Sequence, residues 1–132
     1  MIDIKSINSL LELNLTIPDY QRPYKWKENN IFDLLSDINN VITETINNKD
    51  LKYRIGTIIL YTGNKEKEFS IVDGQQRIIS LILIKLFLEE HFKCTLLDFP
   101  FEDKISQFHI HNNYEFINDW FALKDDDYKK KI

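Results

Sequence analysis

Over residues 78–88 only Ser80 and Lys85 interrupt an apolar run, and the run follows directly on the polar block Asp73-Gly74-Gln75-Gln76-Arg77. Ile78, Ile79, Leu81, Ile82, Leu83, Ile84, Leu86, Phe87 and Leu88 leave no polar stripe at helical spacing, so a helix here must be covered on most sides. The run is too short for the ~20 residues that a bilayer crossing needs. It therefore belongs at the centre of a core, and the rest of the chain has to wrap it.

The flanking segments supply both helices and strands. Ser6 ahead of Ile7, Leu10, Leu11 and Leu13 predicts a short capped helix over 6–13. Leu15-Thr16-Ile17 reads as a brief strand, with Pro18 holding Ile17 extended and Pro23 doing the same for Arg22. Residues 17–26 are then a stiff ribbon carrying Tyr20, Gln21, Arg22, Tyr24 and Trp26. Over 28–46 the spacing of Ile31, Leu34, Leu35, Ile38, Val41, Ile42 and Ile46 predicts an amphipathic helix. Residues 55–61 and 69–72, with Gly63-Asn64 between them, predict a hairpin. Further on, 105–110 is read as a strand and 113–122 as a helix burying Phe116, Ile117, Trp120 and Phe121. The charged end, 125–132, is expected to fray. The fold class is α+β.

Charge limits the partners. The chain has a formal net charge of -4, and Lys129, Lys130 and Lys131 follow Asp125, Asp126 and Asp127 with only Tyr128 between. Without a basic stripe, tight sequence-independent binding of duplex DNA is disfavoured, while a local pocket for a phosphate ligand is still permitted. One cysteine, Cys94, excludes an internal disulfide and fits a reducing compartment. With no apolar leader, the expectation is a cytoplasmic protein without membrane attachment. Cys94 reads as a small buried hydrophobe. His109 and His111 alternate on the expected strand and would share a face, but lack further ligands at metal spacing and read as surface histidines.

The chemistry concentrates in two places. A strand running into Asp73-Gly74 and then a helix gives a tight turn and a set of backbone N–H groups without intrahelical acceptors. With the helix dipole, these form an anion site. Gln75, Gln76 and Arg77 add donors suited to phosphate oxygens, and Asp73 could hold a divalent metal or orient a water. The bland alternative is that Asp73 only caps the helix and the glutamines are solvated. In the ribbon, Arg22 lies amid aromatics and needs a partner. Tyr20, Tyr24 and Trp26 are candidates to stack on a base; for Tyr24 and Trp26 a place in the core is an equal alternative.

Ile17-Pro18-Asp19-Tyr20-Gln21-Arg22-Pro23-Tyr24-Lys25-Trp26, then Gly56-Thr57-Ile58-Ile59-Leu60, then Ile71-Val72-Asp73-Gly74-Gln75-Gln76-Arg77 resemble, in order, the N-terminal domain of GmrSD-type restriction proteins. The likeness is carried by residues 1–95. It implies a ParB/sulfiredoxin-like fold, a small mixed sheet packed by helices, with 96–132 as a helical C-terminal extension that begins a truncated region. It also implies a nucleotide-handling domain that binds, and on this reading hydrolyses, a nucleoside triphosphate with Mg²⁺. Carried over residue by residue, Asp73, Gln76 and Arg77 are the catalytic candidates, with Asp73 also the metal ligand. Gln21, Arg22, Gly74, Gln75 and Arg77 are the phosphate-binding candidates. Family members usually continue into a nuclease domain that cuts modified or phage DNA, and no such motif stands in this chain. DNA would then be reached only through the full-length protein, in which this domain plays a regulatory part in restriction or antiphage defence. The alternative is a non-catalytic module that binds DNA or a protein. Where sulfiredoxin carries a catalytic cysteine, Gln75 and Gln76 stand here, so sulfinic-acid reduction is excluded.

Overall fold

A computed structural model describes residues 6–18, 23–45, 56, 58–62, 68–89, 91–98 and 101–124. The order is α1 (Ile7–Leu11), β1 (Asn14–Thr16), α2 (Glu28–Thr45), β2 (Ile59–Tyr61), β3 (Glu68–Asp73), α3 (Gln75–Leu88), a 3-10 turn (Thr95–Asp98) and α4 (Lys104–Ala122). The class is α+β, as expected.

Strand order in the sheet is β1-β3-β2. β1 runs parallel to β3, placing Leu15 opposite Phe69 and Thr16 opposite Ser70, whose hydroxyls lie 3.1 Å apart. β2 pairs antiparallel with β3, Leu60 opposite Ile71, with an irregularity between Ile59 and Leu60. Two of the three hairpin expectations can be followed: both strands are present and paired, the first shorter than expected, while the Gly63-Asn64 turn lies outside the described residues. Leu15 and Ile71 point into the core, whereas Ile59, Tyr61 and Val72 stand exposed on the other side of the sheet.

α3 occupies the centre. Ile78, Ile79, Leu81, Ile82, Leu83 and Ile84 are all buried, which is the outcome the absence of a polar stripe requires. α2 presents Ile31, Leu34 and Leu35 to the same core, buries Ile42 as well, and keeps Asp33 and Asp37 outward. α1 is capped by Ser6, whose hydroxyl accepts from the Ser9 N–H at 3.1 Å. Ile117 and Phe121 of α4 and Leu96 of the 3-10 turn belong to the same cluster. Phe87 of α3 stacks on Phe121 at 5.1 Å, and Phe32 of α2 meets Trp120 edge-on at 5.6 Å. Among the described residues no helix is long and apolar enough to cross a membrane.

The strand expected over 105–110 is instead the first part of α4. Asp103 starts the helix, its carboxylate accepting from the Ser106 N–H at 2.7 Å. Alternating apolarity misleads here because the inward positions are filled by polar residues. Ser106 and Asn113 are buried in line with Ile117, while Ile105 and Phe108 are exposed. The same helix separates His109 and His111: two residues apart is about 200° around an α-helix, so they point to opposite sides rather than sharing a face. His111 pairs with Glu115 one turn on, at 3.1 Å. Of the aromatics expected inside, Phe121 is fully buried and Phe116 and Trp120 are partly so. Cys94 is half-buried.

Candidate functional site

The end of β3, the turn at Gly74 and the first turn of α3 place Asp73, Gln75, Gln76 and Arg77 in successive but different surroundings. Asp73 is the last strand residue, opposite Ile59, and its side chain is exposed. The helix cap is Gly74, not Asp73, and no side chain caps the turn. Gly74 sits at φ 101°, which favours glycine, and a Cβ there would run into Ile58. Its carbonyl accepts from the Ile78 N–H at 3.0 Å and so opens the helix. The uncapped first-turn N–H groups carry the positive end of the helix dipole.

Arg77 lies on the outer side of this turn. Its guanidinium rests against Gly56, at a spot that even a methyl group on Gly56 would fill. Among the described residues it has no hydrogen-bond or ion-pair partner. Gln75 is buried and engaged.

Gln76, the neighbour of Arg77, turns the other way and makes three hydrogen bonds. Its Oε1 accepts from the Lys25 N–H at 2.7 Å and the Trp26 N–H at 3.1 Å, and its Nε2 donates to the Pro23 carbonyl at 3.1 Å. Two backbone donors can be met only by the amide oxygen and a carbonyl only by the nitrogen, so the partners fix the amide orientation. Residues 23–26 thus form a strap laid across the start of α3. α4 holds the strap from the other side: Ser106 Oγ accepts from the Tyr24 N–H at 2.8 Å, and Asn113 Nδ2 donates to the Trp26 carbonyl at 2.7 Å.

Tyr24 passes through the middle of this arrangement with 0% exposure. Ser80 Oγ gives its one proton to the Gln76 carbonyl at 2.8 Å, so it must receive the Tyr24 proton across 2.7 Å. Tyr24 in turn accepts from Asn113 Nδ2 at 2.8 Å. Burial raises the Tyr24 pKa above its ordinary value, and the Ser80 and Asn113 hydrogen bonds oppose that only in part.

The residues quoted above belong to one known family. The family described as "GmrSD restriction endonuclease, N-terminal domain" matches residues 4–132. The chain belongs to that family. No curated protein matches it. The match runs beyond the 1–95 that carry the quoted motifs and takes in all of α4.

In this GmrSD N-terminal domain the second motif divides in two. Asp73 is exposed and Arg77 partly so, and Gln76 is engaged with the strap. Tyr24 has no free ring face for a base, which removes it as a stacking candidate; Trp26 is half-buried against the core. Tyr20, Gln21 and Arg22 lie outside the described residues, and the chain resumes at Pro23. Sequence reading missed three contributors: Gly56, Ser106 and Asn113. Gly56 carried a signal, being one of only three glycines. The signal for Ser106 and Asn113 was their seven-residue spacing on one helix face, hidden while that stretch was split between a strand and a helix.

Proposed function

We propose that this domain binds a nucleoside triphosphate with Mg²⁺ at the corner where β3 ends and α3 begins, and hydrolyses it, as the regulatory part of a restriction or defence protein. The observation that carries the reading is Arg77. A guanidinium whose end rests against Gly56, without a partner among the described residues and beside an uncapped helix start, suits an incoming polyphosphate. Arg77 and the first-turn N–H groups would bind its oxygens, and Arg22 would neutralise further charge. Gly74 lets phosphate approach the backbone.

Asp73 fits a magnesium role, since Mg²⁺ is commonly held by one or two carboxylates together with phosphate oxygens, and this carboxylate is exposed. The ion would neutralise phosphate charge when bound. Gln76, with its amide committed, is not called on to touch phosphate. A nuclease domain elsewhere in the full-length protein would act on DNA, and this domain would set when it does so.

The test is thermal unfolding with and without each nucleoside triphosphate plus Mg²⁺, on wild type and Arg77→Ala. A ligand at about a hundred times its dissociation constant adds roughly 2.7 kcal/mol, on the order of 10 °C for a domain of this size. The expected result is a shift in wild type that Arg77→Ala abolishes. An equal shift in both proteins, or none with any nucleotide, would overturn the reading and leave a binding module for DNA or protein in its place.

A further inference from the structure

We propose that Ile58 is a positioning residue: packed into the space that a side chain on Gly74 would take, it fixes the turn that presents Asp73, the first-turn N–H groups of α3 and Arg77 to phosphate. The inference rests on the nucleotide reading above for its function, but on separate observations for its geometry.

Among the three segments that carry the family likeness, Gly56-Thr57-Ile58-Ile59-Leu60 supplies no charged and no amide side chain for phosphate. It runs instead antiparallel past Asp73-Gly74-Gln75-Gln76-Arg77. Leu60 lies opposite Ile71 and Ile59 opposite Asp73, with Val72 passed over at the irregularity between Ile59 and Leu60. That one extra residue on β3 shifts the register, so the contacts that follow fall on the turn and the helix. Ile58 meets Gly74: a Cβ there would overlap Ile58 Cδ1 and stand 3.4 Å from its Cγ1 and 3.5 Å from its Cα. Gly56 meets Arg77, whose Cζ would lie 2.9 Å from a methyl group on Gly56. Ile58 is itself partly buried and packed against the core.

Asp73, Gly74 and Arg77 thus each have a neighbour in this short segment. Gly74 has no side chain to anchor it and the turn has no side-chain cap, yet its carbonyl opens α3 by accepting from the Ile78 N–H at 3.0 Å. An apolar side chain wedged against the Gly74 α-carbon restricts the turn where glycine alone would allow many conformations. Ile58 has no polar group to offer a ligand. It acts on affinity through Gly74 and Arg77, and a double-mutant cycle with Arg77 separates that action from plain packing.

The experiment uses the full chain with Ile58→Ala. Two readouts are taken: hydrogen exchange at the Ile78 amide, which bonds to the Gly74 carbonyl, and Mg²⁺-nucleotide affinity with and without Arg77→Ala. With Ile58 cut back, the Ile78 amide should exchange roughly fivefold or more faster, the loosening of about one hydrogen bond, while amides deeper in α3 keep their protection. Affinity should fall several-fold, and Ile58→Ala should cost clearly less once Arg77→Ala is present. Ile58→Val, which removes only Cδ1, should show both effects in weaker form, and it decides the matter if Ile58→Ala folds poorly. Unchanged exchange at Ile78 in both variants would overturn the proposal. An affinity penalty of the same fold with and without Arg77→Ala would overturn it too, by showing that Ile58 contributes packing alone. If wild type bound no nucleotide while both variants still released the Ile78 amide, the nucleotide reading would fall and the brace at Gly74 would stand.

Discussion

Gln76 and Arg77 are neighbours in one helical turn and live in opposite worlds. On the Gln76 side lies the strap, where side-chain amides and hydroxyls from two helices meet backbone groups and Tyr24 is sealed from water. On the Arg77 side lies an open corner of Gly56, Asp73, Gly74 and a cation without a partner among the described residues. A dense polar motif is therefore not a single chemical unit. One part of it satisfies the fold's own donors and acceptors, and the other part, Arg77, has no partner among the described residues. Substitutions should sort accordingly: changes on the strap side register first as lost stability, and changes at the corner register as lost ligand.

The hardest blow to that contrast is Tyr24→Ala. Emptying a buried aromatic site costs about 3–5 kcal/mol, and here it also removes one hydrogen bond each from the Ser80 hydroxyl and the Asn113 amide, leaving them only their bonds to the Gln76 and Trp26 carbonyls. Denaturant unfolding should show it as the largest loss among single substitutions in the strap. Next comes the adjacent pair. Gln76→Met should cost about 1–3 kcal/mol by leaving Trp26 and Pro23 groups unmet, whereas Arg77→Ala should stay within about 0.5 kcal/mol yet weaken nucleotide binding tenfold or more. If the two substitutions gave the same stability loss in urea titrations, the division between strap and corner would be wrong.

Gly56→Ala sharpens the corner further. The added methyl both meets the end of Arg77 and is strained at φ 155°, so Gly56→Ala should lose about 1–3 kcal/mol in urea unfolding as well as several-fold in nucleotide affinity by calorimetric titration. Smallest is Tyr24→Phe, about 1 kcal/mol at neutral pH. Because the folded-state pKa of Tyr24 is raised, its stabilising effect is complete below the ordinary value of 10.0 and declines as pH climbs from there toward the folded value. The gap between wild type and Tyr24→Phe should accordingly shrink in unfolding experiments run above about pH 10.

How legible each part was follows from the same contrast. α3 could be read because apolarity on every side has only one physical outcome, and Gly74 because a strand-to-helix turn with φ 101° favours glycine. The paired strands followed from β-rich residues around a turn signal. α4 was read only in its second half, since Ser106 and Asn113 look like solvent-facing residues until their partners near Tyr24 are known. The division of labour in the motif was not legible either. Glutamine carries one acceptor and one donor group in any context, and composition cannot say whether a backbone or a phosphate will meet them.

The strap also has a consequence for the order in which the molecule becomes whole. Tyr24 binds Ser106 and Asn113 across separations of 82 and 89 residues, so its final bonds close very long loops. During synthesis at about 5–20 residues per second, the strap of residues 23–26 leaves the ribosome many seconds before the helix that holds it exists. Until α4 emerges and docks, Tyr24 and its neighbours can hold only the contacts that α3 offers. The nascent chain thus carries Asp73 and Arg77 well before the strap beside them can be fully held, which ties the last packing at this corner to the completion of the domain.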